Sequence, residues 1–167
     1  MASQFSLPYQ LPPINLLPPA ADAAGRTSSY VSMRNALKAW IICTVNQGNA
    51  AQVTFSPLQA KDNAGTGAKA IGGADTTAPI WYVANSALSG GSDLLAAQAA
   101  ALTFQTDVNL YNKIVIFELA PEGVLDLVNN FNHIAIQTSA SNAANITSAT
   151  LNLYGSFQGA SQPTSYV

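Results

Sequence analysis

The stretch "LKAWIICTVNQGNAAQVTF", Leu37 to Phe55, contains the pattern that decides the fold. It begins with an apolar run rich in β-branched and aromatic side chains, which is typical of a buried strand. The polar turn "NQGNAA" follows, and "QVTF" then alternates polar and apolar side chains as a half-buried strand does. The stretch therefore predicts a strand, a turn and a second strand.

The same order of short strands and turns continues toward the C-terminus. Strands are predicted in "PIWYVAN" (79–85), "NKIVIFEL" (112–119), "NHIAIQTS" (132–139) and "ANITSATLNLYGSF" (144–157). The segment "PEGVLDLVNNF" (121–131) allows a helical turn, while "SDLLAAQAAALTF" (Ser92 to Phe104) stays open between helix and strand. Short strands at this spacing predict an all-β fold, an antiparallel β-sandwich of the jelly-roll kind.

Two details of the sequence give local expectations. Pro57 has no backbone N–H, so we expect it at a sheet edge or a bulge. The hexapeptides "NAAQVT" (Asn49 to Thr54) and "NAANIT" (Asn142 to Thr147) each follow an apolar run and a polar turn. This repeat predicts two hairpins with the same turn chemistry.

The residues before Gly25 differ from the rest of the chain. The leader "FSLPYQLPPINLLPPAADAAG" contains five prolines, one charge and several large apolar side chains. Proline excludes a helix and favours a polyproline-type conformation or an irregular strand. Burial of each apolar side chain is worth about 1.5–3 kcal/mol, so the leader should pack against something. We therefore expect an extended N-terminal arm over residues 1–28, with a hinge in "ADAAGRTSS" (21–29).

The arm has two possible packing partners. It could fold back over its own sandwich and complete a sheet edge, or it could lie on a neighbouring subunit. The hinge and the low surface charge favour the neighbour, in which case removal of residues 1–24 leaves the body folded. The predicted contacts with a neighbouring subunit or capsid are Phe5, Leu7, Tyr9, Leu11, Ile14, Leu16 and Leu17.

Composition excludes several classes of partner. Charged residues make up 8% of the chain, against roughly a quarter in average domains. The cations are not clustered, which argues against nucleic-acid binding, and weakly charged surfaces favour association. The longest apolar run, "AWIICTV", is shorter than the ~20 residues of a membrane helix. No export signal is recognised, so synthesis in a host cytoplasm is expected.

No reaction can be derived from the sequence. Cys43 is the only cysteine and His133 the only histidine, so neither a disulfide, a metal site nor a cofactor site is predicted. Glu118, Glu122 and Asp126 are interpreted as solvated carboxylates rather than a catalytic pair, and "GTGAKAIGG" (65–73) as a surface loop. Trp40, Trp81 and Tyr82 could form a sugar-stacking platform, although Trp40 is interpreted as a core residue.

Three stretches carry a resemblance to a known family. The segments "SSYVSMRNALKAWIICTVNQGNAAQVTFSPLQAKD", "NKIVIFELAP" and "FNHIAIQTSASNAANITSATLNLYG" resemble small virion proteins of tailed bacteriophages, of the capsid cement or decoration type. The resemblance spans most of Tyr30 to Gly155. It implies a β-sandwich that binds the major capsid protein lattice, often as a homotrimer.

The sequence thus predicts three regions: the arm (1–28), the β-sandwich (29–158) and a C-terminal tail (159–167). The expected function is that of a structural virion protein, not an enzyme, which stabilises the phage head at the capsid surface. The alternative is a tail-fibre or baseplate module that recognises host-surface glycan through "PIWY" (79–82) and the glycine loops.

Overall fold

The structure of the chain is a computed structural model that describes residues 11–73, 77–86 and 94–155. Within these ranges the chain forms two antiparallel β-sheets that pack against each other, with one short helix. The all-β sandwich predicted from the sequence is confirmed.

The described ranges contain the following elements. The strands are β1 (Pro13–Ala21), β2 (Arg26–Thr27), β3 (Val31–Ser32), β4 (Ala36–Gln47), β5 (Thr54–Ala60), β6 (Lys69–Ala70), β7 (Ala78–Ala84), β8 (Ala96–Ala101), β9 (Phe104–Gln105), β10 (Asn112–Leu119), β11 (His133–Thr138) and β12 (Asn145–Gly155). Helix α1 (Pro121–Val124) and a 3-10 helix (Leu127–Asn129) lie between β10 and β11. The helical turn expected after Pro121 is therefore confirmed.

The two sheets have different strand orders. Sheet A has the order β1-β12-β4-β10-β7-β8, and sheet B has the order β2-β11-β5-β6. Two further short strands extend sheet B, because β3 pairs with β11 and β9 pairs with β5. The core lies between the sheets and follows the two-residue period of the strands. It includes Ile41, Cys43, Phe55, Phe117, Ile134 and Ile136, all with no exposed surface. Burial in this apolar core raises the pKa of the Cys43 thiol.

The sequence left Ser92 to Phe104 open between helix and strand, and the described part of this segment forms strands. β8 runs antiparallel to β7 at the edge of sheet A, and Phe104 begins β9 in sheet B. Alanine is a strong helix former in isolation, but backbone pairing with β7 overrides that preference here.

The hexapeptide repeat marks two crossings between sheets rather than two hairpins. The first turn leads from β4 in sheet A to β5 in sheet B, and the second leads from β11 in sheet B back to β12 in sheet A. The expected turn chemistry is nevertheless present. The side-chain oxygen of Asn49 accepts from the amide of Ala51, and that of Asn142 accepts from Ala144, each at 2.9 Å. Both are Asx turns, in which asparagine bonds to the backbone two residues ahead.

Pro57 lies at a local edge of sheet B. It stands opposite Ile136, whose amide and carbonyl both bond to Ser28 on the far side of β11. The missing donor of Pro57 therefore points away from β11. On that side, β5 pairs with β9 at Thr54 and Phe55 and with β6 only from Leu58. On this side the Pro57 carbonyl accepts from the amide of Ile71 at 3.4 Å, just past the end of β6, so the missing donor removes at most the return bond where this pairing ends, as expected for a strand proline.

The proline-rich leader is part of the sandwich from Pro13 onward. β1 pairs antiparallel with β12 and shifts register twice, around Leu16 and around the two prolines that precede Ala20. Leu16 and Leu17 are 5% and 4% exposed and belong to the core of this same chain. The described part of the segment predicted as an extended arm thus completes an edge of its own sandwich, which is the first of the two packing partners that the sequence left open.

The segment predicted as a hinge is closely bonded. The Arg26 guanidinium donates to the carbonyl oxygens of Pro18 (2.8 Å) and Thr147 (2.7 Å) and to Thr147 Oγ1 (2.7 Å). Asp22 is fully buried 3.5 Å from Arg26 Nε, and its Oδ1 accepts from Thr138 Oγ1 at 2.7 Å. The hinge prediction is wrong because these bonds fasten the segment to both sheets.

Truncation before Gly25 should accordingly damage the fold, contrary to the expectation from the sequence. Removal of residues 1–24 would delete β1, Leu16, Leu17 and the buried Asp22. Removal of residues 1–10 leaves all of these in place.

We expect Arg26→Ala to lower the free energy of unfolding by about 3 kcal/mol, because it leaves the Asp22 carboxylate buried without its counter-charge. Arg26→Lys keeps the charge but not the planar fork, so it should recover only part of the loss. The measurement is urea denaturation, with Arg34→Ala at the exposed second arginine as a control that changes stability by less than about 0.5 kcal/mol. Equal effects of the two alanine variants would contradict the role of Arg26.

Candidate functional site

The loop that joins β9 to β10 exposes large apolar side chains at one end of the sandwich. We call residues 107–111 the end loop. Its side chains Val108, Leu110 and Tyr111 are 55%, 59% and 42% exposed. Apolar side chains on a loop are free to move unless the backbone beneath them is held.

Lys113, the second residue of β10, holds this backbone from below. Its side chain is fully buried, and its Nζ donates to Gln47 Oε1 at 2.7 Å and to the carbonyl oxygen of Asn109. Nζ also lies 3.3 Å from Asp107 Oδ1. Gln47 completes the arrangement by donating from Nε2 to the carbonyl oxygen of Asp107 at 2.9 Å. A buried charge is tolerated where it is paired and hydrogen-bonded, as it is here.

Asp107 links the end loop to β7. Tyr82 Oη donates to Asp107 Oδ2 at 2.7 Å, and the amide of Asn109 donates to Asp107 Oδ1 at 2.8 Å. Burial would raise the pKa of Asp107, but these hydrogen bonds and the Lys113 charge hold it below its usual value. Burial and the neighbouring carboxylate raise the pKa of Tyr82. The end loop is thus a preformed apolar surface rather than a loose connection.

A second cluster lies on the outer face of sheet A, the face that points away from the core. Trp40 on β4 stands directly opposite Glu118 on β10, and Trp81 on β7 lies opposite Ile116. Trp40 is half-buried on this outer face, so its interpretation as a core residue is wrong. Its neighbours Ala39 and Ile41 are the residues that point inward and have no exposed surface.

Glu118 is the centre of this outer cluster. It forms an ion pair with Lys38, whose Nζ also lies 5.8 Å from the centre of the Trp40 ring. The pKa of Glu118 is lowered, chiefly by the hydrogen bond from Lys38 and further by the indole N–H groups of Trp81 and Trp40. Tyr82 does not join the two tryptophans, because it lies on the opposite face of sheet A. There the centre of its ring is 4.8 Å from the centre of the Phe104 ring.

The leader residues predicted as interface contacts divide into three groups. Leu16 and Leu17 are buried in the core of this chain, so they do not form an interface surface. Leu11 and Ile14 are half-buried, and Ile14 packs against the same core. Phe5, Leu7 and Tyr9 lie outside the described residues.

The other residues considered from the sequence are not brought together. His133 is the first residue of β11 and is 6% exposed, and burial followed by the Arg34 charge lowers its pKa. Asp126 pairs with Lys69 at 2.6 Å, whereas Glu118 pairs with Lys38, so these two carboxylates have separate partners. Within the described ranges, no group of three or more His, Cys, Asp or Glu side chains is arranged to hold a metal ion.

Comparison of the chain with protein-family models, with curated proteins and with solved structures found no match. Among the residues that the structure describes, no helix is long and apolar enough to span a membrane.

Lys113→Met should loosen the end loop, because it removes the donor to the Asn109 carbonyl and leaves Gln47 Oε1 buried without its partner. We expect a loss of about 1–3 kcal/mol in the free energy of unfolding. The amide of Tyr111, which donates to the Asn109 carbonyl, should exchange hydrogen faster. Lys61→Met, at an exposed lysine, is the control, and unchanged Tyr111 exchange in Lys113→Met would refute the assignment.

The low pKa of Asp107 also predicts a pH dependence. A carboxylate whose pKa is lower in the folded than in the unfolded state adds stability above its usual pKa, and that stability is lost as the pH falls through and below it. Asp107→Asn should therefore show a shallower loss of stability between about pH 5 and pH 2 than the unchanged protein. Thermal unfolding across this range measures it, and parallel curves for the two proteins would exclude the contribution.

Proposed function

We propose that the protein is a structural, non-enzymatic component of a tailed-phage virion that binds the major capsid protein lattice and stabilises the head. The observation that carries this proposal is the end loop, a rigid apolar surface exposed to solvent. Rigid apolar groups lose little conformational entropy on docking, so most of their burial energy is available for binding. The resemblance of the sequence to cement and decoration proteins supports the same function.

A second apolar surface supports a bridging role. Leu127 and Val128 in the 3-10 helix are 43% and 93% exposed. β10 begins at the end loop and finishes before this helix, so the two surfaces lie at opposite ends of the sandwich. A protein with an apolar contact at each end can join two neighbouring capsomers, and repeated weak contacts of this kind gain strength through avidity.

The charges of the chain support a weakly charged partner. Four of the six cationic side chains form ion pairs within the chain. Few cations remain to replace the counterions of a nucleic acid, whose binding depends on them. A protein lattice contacted through apolar area fits these properties better.

Of the leader, only the residues that precede β1 are part of this proposed function. Phe5, Leu7 and Tyr9 precede β1 in sequence, and we propose that they contact a neighbouring subunit in a homotrimer at the capsid surface. The protein would be made in the host cytoplasm and would join the virion during assembly.

The test is co-sedimentation of the purified chain with heads of the phage that encodes it, after the native copies have been removed. We expect saturable binding that the double variant Val108→Ser, Leu110→Ser weakens at least about tenfold, equivalent to 1.4 kcal/mol. Both residues are more than half exposed, so the stability of the variant should change little.

Two controls accompany this experiment. Leu102→Ser changes an exposed leucine between β8 and β9 and should bind heads as the unchanged chain does. Deletion of residues 1–10 should convert the trimer to monomers in sedimentation velocity. The proposal is wrong if the unchanged chain stays in the supernatant. It is also wrong if the double variant binds heads as tightly as the unchanged chain.

A further inference from the structure

We propose that the outer face of sheet A carries a saccharide-binding site in which Trp81 and Trp40 contact the sugar ring and Glu118 and Lys38 bind its hydroxyl groups. This inference goes beyond the capsid function, since it concerns a different face and a different class of ligand.

Strand register brings the four side chains together. Trp40 and Glu118 form a directly opposed pair, and such pairs have Cβ atoms about 4.5–5.5 Å apart. Lys38 and Trp81 are diagonal neighbours of Glu118, at a spacing of about 7–8 Å that long and aromatic side chains can span. The arrangement is fixed by three adjacent strands of one sheet, so it is rigid.

The surface beside this cluster is apolar. Ile42 and Ile116 are opposed to each other next to Trp81, and both are half-buried on the outer face. Trp81 is 38% exposed, and its partner on the edge strand β8 is Ala97, which has a single methyl group. No large side chain from the paired position on β8 therefore covers the Trp81 ring.

The charges of the cluster decide the class of ligand. A pair of tryptophans with a carboxylate could in principle bind an organic cation. Here Lys38 already pairs with Glu118 and lies near the Trp40 ring, so the chain supplies its own cation. An anionic ligand would be repelled by Glu118. A neutral ligand with an apolar face and several hydroxyl groups suits both features.

A pyranose ring has those properties. Its axial C–H bonds form a weakly positive apolar face, which complements the negative face of an indole ring. Its hydroxyl groups can donate to the Glu118 carboxylate and accept from the Lys38 ammonium, and such charge-assisted hydrogen bonds are stronger than neutral ones. The site lies on the face of a sheet, so binding should extend over several sugar units of an oligosaccharide.

The chain offers a direct readout of binding at this place. Trp40 and Trp81 are its only tryptophans, so tryptophan emission, excited at wavelengths that the six tyrosines do not absorb, reports on the proposed site. A glycan array of neutral oligosaccharides should first identify a bound sugar, and titration of that sugar into the unchanged protein should alter the tryptophan emission saturably.

Variants then separate the roles of the side chains. Trp81→Ala and Glu118→Gln should each weaken binding at least about tenfold, and Trp81→Phe, which retains an aromatic ring, should lose less. Glu118→Gln preserves the size of the side chain, so it remains informative if Trp81→Ala fails to fold. Tyr111→Ala, in the end loop, is the control and should bind the sugar normally.

Three results would overturn the proposal. They are the absence of any bound neutral glycan on the array, unchanged affinity in both Glu118→Gln and Trp81→Ala, and loss of head binding without loss of sugar binding in these variants. The last result would assign this face to a protein interface. Because Tyr111→Ala tests the end loop separately, failure of the saccharide site and failure of the capsid function are distinguishable.

Discussion

The sandwich depends on the guanidinium group of Arg26, which fastens a proline-rich strand to a sheet that it fits poorly. Pro18 and Pro19 cannot donate to a ladder, and the pairing of β1 with β12 shifts register around them. Arg26 donates instead to the carbonyl oxygens of Pro18 and Thr147, on both strands. With that bond in place, Leu16 and Leu17 close the core, and the prolines leave an edge that is poorly suited to accept a further strand.

The strands could be predicted from sequence because their signal is local. "NKIVIFEL" is an apolar run rich in β-branched side chains, which is typical of a strand, and β10 covers the whole of it. One signal in this run was overlooked, since the two-residue period of a strand places Lys113 on the same face as the inward residues Val115 and Phe117. A lysine at an inward position indicates a buried, paired charge, and it would have pointed to the network under the end loop.

Other features depend on contacts that are distant in sequence. "AWIICTV" is apolar on both faces, so its pattern could not show that Trp40 points outward while Ile41 points inward. The repeat predicted the same turn chemistry at both places, which the matching asparagine bonds confirm, but whether a turn joins strands of one sheet or of two is decided by tertiary packing. The partners of Arg26 include Thr147, which lies 121 residues away, and no local pattern indicates such a bond.

The few charges of this protein act mainly inside its own fold. Asp22 and Lys113 have no exposed side-chain surface, and each lies in an ion pair. The pair of Asp22 holds the junction after β1, and the pair of Lys113 holds the end loop. The surface is consequently composed largely of apolar and uncharged polar groups. Contacts made by such a surface depend on buried apolar area, which salt does not screen as it screens exposed charges. The same scarcity of charge makes Glu118 and Lys38 distinctive, since they form an ion pair beside two tryptophans on an otherwise neutral face.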